Sequence, residues 1–288
     1  MDIKTLHVRK LSLEDLPQLQ AMDTGIEDDY VIYIFENLVT EKSHSVYGLF
    51  DHEKMVAIAG YTVFAKHFAV LGRLRSDRRY RGNGHATELL KWIMDELNGM
   101  DDIHWIGAAT NEPNLPARRV LDKLGLSADA IYHSLVLKSP DVFGSVADGP
   151  VWDPVTDISE KRKILLAHQN NALGMFPYEC YYPLPFVEEL FADEYLDSLA
   201  IFINPDGDRF VALKADSKGD WYAHVKYFWD DHFEQPGFWK TVFEYTRQHR
   251  NSMGIWIDFS PQGFRNIPNL EAFDIQEPWM MYGVWKKR

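Results

Sequence analysis

Cysteine is almost absent. Cys180 stands alone among 288 residues, so no internal disulfide can form and nothing calls for an oxidising compartment. The first ten residues lack the apolar core of a secretory signal, and no apolar run approaches the length of a membrane span. The cytoplasm is the expected location, and no membrane partner is expected. Positive charge is also scarce. The formal net charge is −13, and most of the acidic excess falls after residue 139. Nucleic acid is therefore not an expected partner, because a phosphate backbone needs basic patches. The excess acid suits solubility, and it also suits a cationic or zwitterionic small molecule. The sequence has no Gly-x-x-x-x-Gly-Lys-Ser/Thr, His-Glu-x-x-His or Cys-x-x-Cys, so neither nucleotide hydrolysis nor a metal is indicated.

What is present is a well-furnished interior. Hydrophobic residues make up 46% and aromatics 14%, with nine Trp, enough for one or two cores. Periodicity over the first 139 residues predicts the order β-α-α-β-β-β-α-β-α-β. The strands are placed at Leu6–Lys10, Ser45–Phe50, Val56–Phe64, Ala69–Arg75, His104–Ala109 and Ala130–Leu137. Ser12 and Asp15 frame a capping box for the first helix. A break at residues 24–29 leads to a second helix over residues 30–40. His85–Leu97 is a helix with Leu89, Leu90, Ile93, Met94 and Leu97 on one face, and Leu115–Leu124 is another, closed by Gly125. Residues 140–149, rich in Pro, Gly and Ser, are expected as a linker. The expected domains are thus 1–139 and 150–288. In the second half, helices are expected over 160–172, 186–192 and 238–249, with strands at 199–204, 210–214, 221–228, 254–259 and 279–285. From Trp221 onward this order matches that from Ala69 onward, which suggests an internal duplication.

One segment carries chemistry. Residues 81–86 read Arg-Gly-Asn-Gly-His-Ala and lie between a strand and a helix. Pyrophosphate needs several converging N–H donors, and small residues entering a helix supply them together with the positive end of the helix dipole. Gly82 and Gly84 let the backbone come close and adopt positive φ. Arg73, Arg75, Arg78, Arg79 and Arg81 can surround phosphates. A Rossmann reading fails because Thr87 stands at the third glycine position.

The segment Arg81-x-x-Gly84-x-Ala86, followed by Leu89-Leu90, resembles the cofactor motif of the GCN5-related N-acetyltransferase (GNAT) superfamily. Asn114-x-x-Ala117 followed by Lys123-Leu124-Gly125-Leu126 resembles that family's second motif, and the resemblance covers residues 5–138 in order and spacing. It implies an α/β (α+β) fold: a mixed twisted sheet flanked by helices, followed by a second, degenerate GNAT-like domain. It further implies an acyl-CoA-dependent N-acyltransferase that moves an acetyl group from acetyl-CoA to the amine of a small molecule or amino acid. Leu74 and Ser76 would face pantetheine, and Arg81, Gly82, Asn83, Gly84, His85, Ala86 and Asn114 would complete the cofactor site. The tyrosine that often serves as acid in the family is replaced by Leu121, and neither Tyr80 nor Tyr132 matches its position. Candidates for the base are Glu27, Asp28 and Asp29 in the break between the first helices, and His133 on the last strand. Asp28 and Asp29 also suit a helix cap, and His133 suits a solvent-facing strand position. The missing acid and base keep two alternatives open: a non-catalytic acyl-CoA-binding sensor or scaffold, and a protein or peptide acetyltransferase. In the second half, Trp229-Asp230-Asp231-His232 follows the corresponding strand. Its aspartates would repel pyrophosphate, so this half is expected to bind no cofactor. Gly25-Ile26-Glu27-Asp28-Asp29-Tyr30 and the aromatic-rich second half loosely resemble histidine N-acetyltransferase-like proteins.

Overall fold

The computed structural model describes residues 6–139, 148–249 and 253–287. Most of the expected linker, residues 140–147, lies outside them. The chain forms two compact units. Unit 1 comprises Met1–Ala109, Asn114–Ala128 and Tyr282–Arg288, and unit 2 comprises Thr110–Pro113 and Asp129–Met281.

Unit 1 begins with β1 (Leu6–Lys10), α1 (Leu16–Gln20), α2 (Tyr30–Tyr33) and α3 (Phe35–Thr40). It continues with β2 (His44–Asp51), β3 (Lys54–Phe64), β4 (Phe68–Ser76), α4 (His85–Asn98), β5 (Trp105–Asn111) and α5 (Leu115–Lys123). The single helix expected over residues 30–40 is broken at Ile34, whose φ of −98° and ψ of 8° end α2. Strands β1 to β4 pair antiparallel in sequence order, and β5 is parallel to β4. Helices α1 to α3 bury Leu19, Val31, Phe35 and Leu38 against Val46, Phe50 and Ile58 of β2 and β3. Helix α4 packs on β3 and buries the five apolar residues that its periodicity marks.

Unit 2 begins in β6 (Ser127–Leu137) and adds β7 (Asp153–Val155), α6 (Ile158–Leu166), β8 (Phe176–Glu179), β9 (Tyr182–Leu184) and α7 (Asp193–Asp197). Next come β10 (Ala200–Ile203), β11 (Phe210–Lys218), β12 (Asp220–Lys226), α8 (Phe238–His249), β13 (Gly254–Phe259), α9 (Pro261–Arg265) and β14 (Phe273–Asp274). The final strand is β15 (Trp279–Trp285). The helix expected over residues 160–172 stops at Leu166. There the side chain of Asn171 turns back to bond backbone groups, an alternative to helix that asparagine favours. Residues 186–192 make only a 3-10 turn, Glu188–Leu190.

The two sheets share a plan. Unit 1 runs β1-β2-β3-β4-β5, with β15 beside β5. Unit 2 runs β7-β10-β11-β12-β13, with β6 beside β13. In unit 2 also, the first four strands are antiparallel and the fifth is parallel to the fourth. The sixth strand is where the units depart from a division at residues 139 and 150. Strand β6 from Asp129 onward clusters with unit 2, where Leu135 pairs Ile257 and Leu137 pairs Ile255. Tyr282–Trp285 of β15 clusters with unit 1. A strand's neighbours are set by its ladder and its apolar face, so chain order does not fix them.

Candidate active site

Strand β4 is shared unevenly between its neighbours. Strand β3 pairs it as far as Ser76, whereas β5 pairs it only over Phe68–Leu71, against Trp105–Ala108. From Gly72 to Ser76 the edge turned away from β3 has no ladder to β5. The cause is local. Arg73 sits at φ +58°, and the register against β3 shifts between Ile58 and Gly60, as a bulge requires. Free N–H and C=O groups on such an edge invite an extended ligand to pair as an extra strand. Leu74 and Ser76, both half-buried, lie on this stretch.

Beyond it the chain makes a short 3-10 turn, Arg78–Tyr80, capped by Asp77. The Asp77 carboxylate accepts from the Arg79 backbone N–H at 3.0 Å and also holds the Arg79 side chain. That bond, foremost, lowers its pKa. Gly82 and Gly84 then adopt φ +86° and +82°, and a Cβ on either would meet nothing within 4 Å. Gly84 is the N-cap of α4, and no side chain caps the helix. Arg81, Gly82, Asn83 and Gly84 are exposed, and Ala86 is half-buried. The His85 ring is buried, and neither ring nitrogen has a partner among the described residues. Bonding and dipole together make this helix start a ready anion site.

The arginines divide differently from the expectation that all of them surround phosphate. Arg75 forms a bidentate pair with Asp29, at 2.6 and 2.7 Å. Arg78 donates to the Gly25 carbonyl at 3.0 Å, and Arg79 reaches both Asp77 and the Ala21 carbonyl. Arg73 is buried. Arg81 is left exposed on the loop itself. The bonds from Arg75, Arg78 and Arg79 clamp the break between α1 and α2 onto the loop that precedes α4. A sequence shows five positive charges but cannot show which ones already have carboxylate or carbonyl partners.

That break carries the candidate bases. Asp29 is buried, accepts from the Val31 N–H at 3.1 Å as cap of α2, and is paired with Arg75. Burial raises its pKa, but the Arg75 and Val31 bonds outweigh this and lower it overall. It is a structural ion. Asp28 is exposed and accepts from the Tyr33 hydroxyl at 2.7 Å, and Glu27 is exposed. Asn114 caps α5 by accepting from the Ala117 N–H at 3.3 Å, and Leu121 is buried in that helix. The other candidate, His133, belongs to unit 2. It is half-buried, so the solvent-facing expectation does not hold, and its ring stacks on Phe264 at 3.9 Å. Burial, foremost, lowers its pKa and keeps the imidazole neutral.

Among the described residues, unit 2 offers no second loop of this kind. After β12, Asp231 accepts from Tyr227, Gln235 and Arg209 at 2.7 to 3.0 Å, and Asp230 accepts from Ser260 at 2.5 Å. Carboxylates stand here where unit 1 has glycines.

A splayed pair of parallel strands beside a glycine loop that opens a helix defines, in unit 1, a domain able to hold an extended ligand between strands and its anionic end on a helix start. The acetyltransferase (GNAT) family model matches residues 10–126. Solved structures resemble the chain over nearly its whole length. A GCN5-related N-acetyltransferase from Sphaerobacter thermophilus is 12% identical, covering 98% of this chain and 96% of that one, with a TM-score of 0.56. A Pyrococcus horikoshii protein assigned as an acetyltransferase is 10% identical over 100% and 92% of the two chains, with a TM-score of 0.55. A third, assigned likewise, from Thermoplasma acidophilum, is 18% identical over 96% and 91%, with a TM-score of 0.52. These are likenesses of fold. No curated protein sequence matches the chain.

Proposed function

We propose that the protein is an N-acetyltransferase that uses acetyl-CoA and delivers the acetyl group to the amine of a small molecule or amino acid. The observation that carries this reading is the junction of the β4–β5 splay with the open loop at Gly82 and Gly84. Pantetheine would pair along Leu74 to Ser76. The pyrophosphate would rest on the N–H groups at the start of α4, with Arg81 beside it and Asn114 at the head of α5. The amine attacks the thioester carbonyl, and CoA leaves as thiolate, protonated by water or by the product ammonium. No tyrosine stands where the family often has its acid, because Leu121 is there. Exposed Glu27 and Asp28 border the clamped break and are the unit 1 groups suited to receive the amine proton through water. The acidic second half favours a cationic acceptor.

Acetyl-CoA should raise the melting temperature, since a ligand of the native state alone adds about 2.7 kcal/mol at a hundredfold excess over its Kd. No shift at millimolar acetyl-CoA sinks the cofactor assignment. Leu121 supports a second reading, an acyl-CoA binder without catalysis. Release of free CoA with a panel of small amines decides between them: stabilisation without release leaves only the binder.

A further inference from the structure

Strands β6, β12 and β13 of unit 2 are two-faced. Leu135, Val225 and Ile257 are among the residues of one face, in the apolar core that also takes Trp239 and Val242 of α8. The alternate positions carry Tyr132, Ser134, His224, Lys226 and Asp258, each 3% exposed or less. The hairpin β8–β9 covers this polar face. Lys226 Nζ donates to the carbonyls of Pro177 and Tyr178, the Cys180 N–H donates to Asp216 at 2.7 Å, and the Tyr181 ring meets Trp256 at 4.4 Å.

Buried polar groups normally find partners, and here most do. Asp258 accepts from the Ser134 hydroxyl through one oxygen and meets His224 Nε2 at 2.9 Å through the other. His224 Nδ1 meets Lys226 Nζ at 2.9 Å, so Lys226 has three partners in all. The Tyr132 hydroxyl and the Trp256 indole N–H are exceptions: both are buried, and neither has a partner among the described residues. Tyr132 and Asp258 form the floor of a narrow crevice whose walls include Pro177, Glu179, Tyr181 and Tyr182 of the hairpin. The charged groups lining it are both carboxylates; Glu179 is paired with Lys218 Nζ at 3.7 Å, which also lies over the Tyr182 ring, so Asp258 is the one on the floor that an incoming cation meets. The imidazole of His224 stands between Lys226 and Asp258.

We propose that this crevice binds a small protonated amine, with its N–H groups on Asp258 and the Tyr132 oxygen and its carbon end against the tyrosine rings. Two oxygens from the floor suit an ammonium, whereas alkali and alkaline-earth ions demand more oxygen ligands. Aromatic walls attract an organic cation through their π faces. The hairpin must lift to admit the ligand, and the Lys226 and Asp216 bonds to residues 177, 178 and 180 are its latch. The site stands on unit 2 alone and does not depend on the transferase reading.

The test uses the full chain without CoA and methylammonium chloride as probe, at constant ionic strength. The expected result is a saturable rise in melting temperature at millimolar probe, absent with sodium or potassium chloride, and slower amide exchange over residues 175–184. Tyr132→Phe, which removes only an unpartnered hydroxyl, should fold and bind methylammonium at least fivefold more weakly. Glu179→Gln, on the wall, should also weaken it and serves if Tyr132→Phe does not fold. The proposal is overturned if no saturable shift occurs, if sodium or potassium matches methylammonium, or if both variants bind as the parent does. It is overturned too if a crystal soaked in the probe shows only a water bridging Tyr132 and Asp258.

Discussion

At the scale of single residues, Gly84 and Lys226 show opposite uses of space. Gly84 holds φ +82° with nothing near its missing Cβ, so a side chain there has room when no ligand is bound. Asp visits the left-handed region more readily than most residues, at a cost of about 1–2 kcal/mol. Gly84→Asp should therefore fold, yet it places a carboxylate where pyrophosphate would sit. Acetyl-CoA should no longer raise its melting temperature, and normal binding by a folded Gly84→Asp would remove the loop from the cofactor site. Lys226 and His224 are fully buried. Burial, then the nearby Lys214 charge, pushes the Lys226 pKa down to about 7. Burial, then the Lys226 charge, pushes His224 down to about 4. Between pH 4 and 6.5 the unfolded chain binds a proton at His224 that the folded protein lacks, and Lys226 repeats this from pH 7 toward 10.5. The unfolded state holds the extra proton in both windows, so stability rises with pH through each. The urea midpoint should climb from pH 4.5 to 6.5 and again from pH 7 to 9, and Lys226→Met should flatten the second climb. A flat parent profile from pH 7 to 9 contradicts a neutral buried Lys226.

At the scale of elements, the sequence is most legible where backbone demands are unusual. A glycine pair between a strand and a five-residue apolar helix face points to the start of α4, and the structure begins that helix at His85. Residues 221–228 read as a strand, and β12 is one over Asp220–Lys226. What that reading cannot show is the cover over its polar face. That cover is the hairpin at residues 176–184, whose Pro177 and Pro183 argue against strand in a linear reading because proline donates no ladder bond. The bulge at Arg73 is likewise silent in sequence, since arginine has no special liking for positive φ. Packing at β15 is equally hidden. A Cβ on Gly283 would fall 2.5 Å from the Trp105 indole, so the fully buried Trp105 lies against bare backbone there. Gly283→Val should displace that ring and cost about 1–3 kcal/mol. A lowered melting temperature together with changed tryptophan fluorescence would register it, and an unchanged melt would mean that Trp105 has slack.

At the scale of the whole molecule, a repeated plan is readable from Trp221 onward, but the ownership of the sixth strands is not. Strand β6 lies beside β13, and β15 lies beside β5. A chain ending at residue 139 would therefore lack Tyr282–Trp285, the cover over Trp105, and the bond from the Lys286 N–H to the His104 carbonyl at 2.9 Å. It should remain without fixed near-ultraviolet circular dichroism and melt without a cooperative transition. A soluble, cooperatively melting 1–139 fragment would show that unit 1 tolerates an open edge at β5.

The borrowed strands also set a timetable. Synthesis proceeds from the N-terminus at about 5–20 residues per second, and domains usually fold as they emerge. Strand β5 leaves the ribosome well over a hundred residues before β15. Unit 1 must wait with an unpaired edge while the whole of unit 2's own chain is made, and during that wait β6 is the nearest available strand. Nascent chains should pass through an interval in which β6 competes for the place that β15 finally takes, and the sticky edge of β5 makes that interval the time when the protein most needs a chaperone.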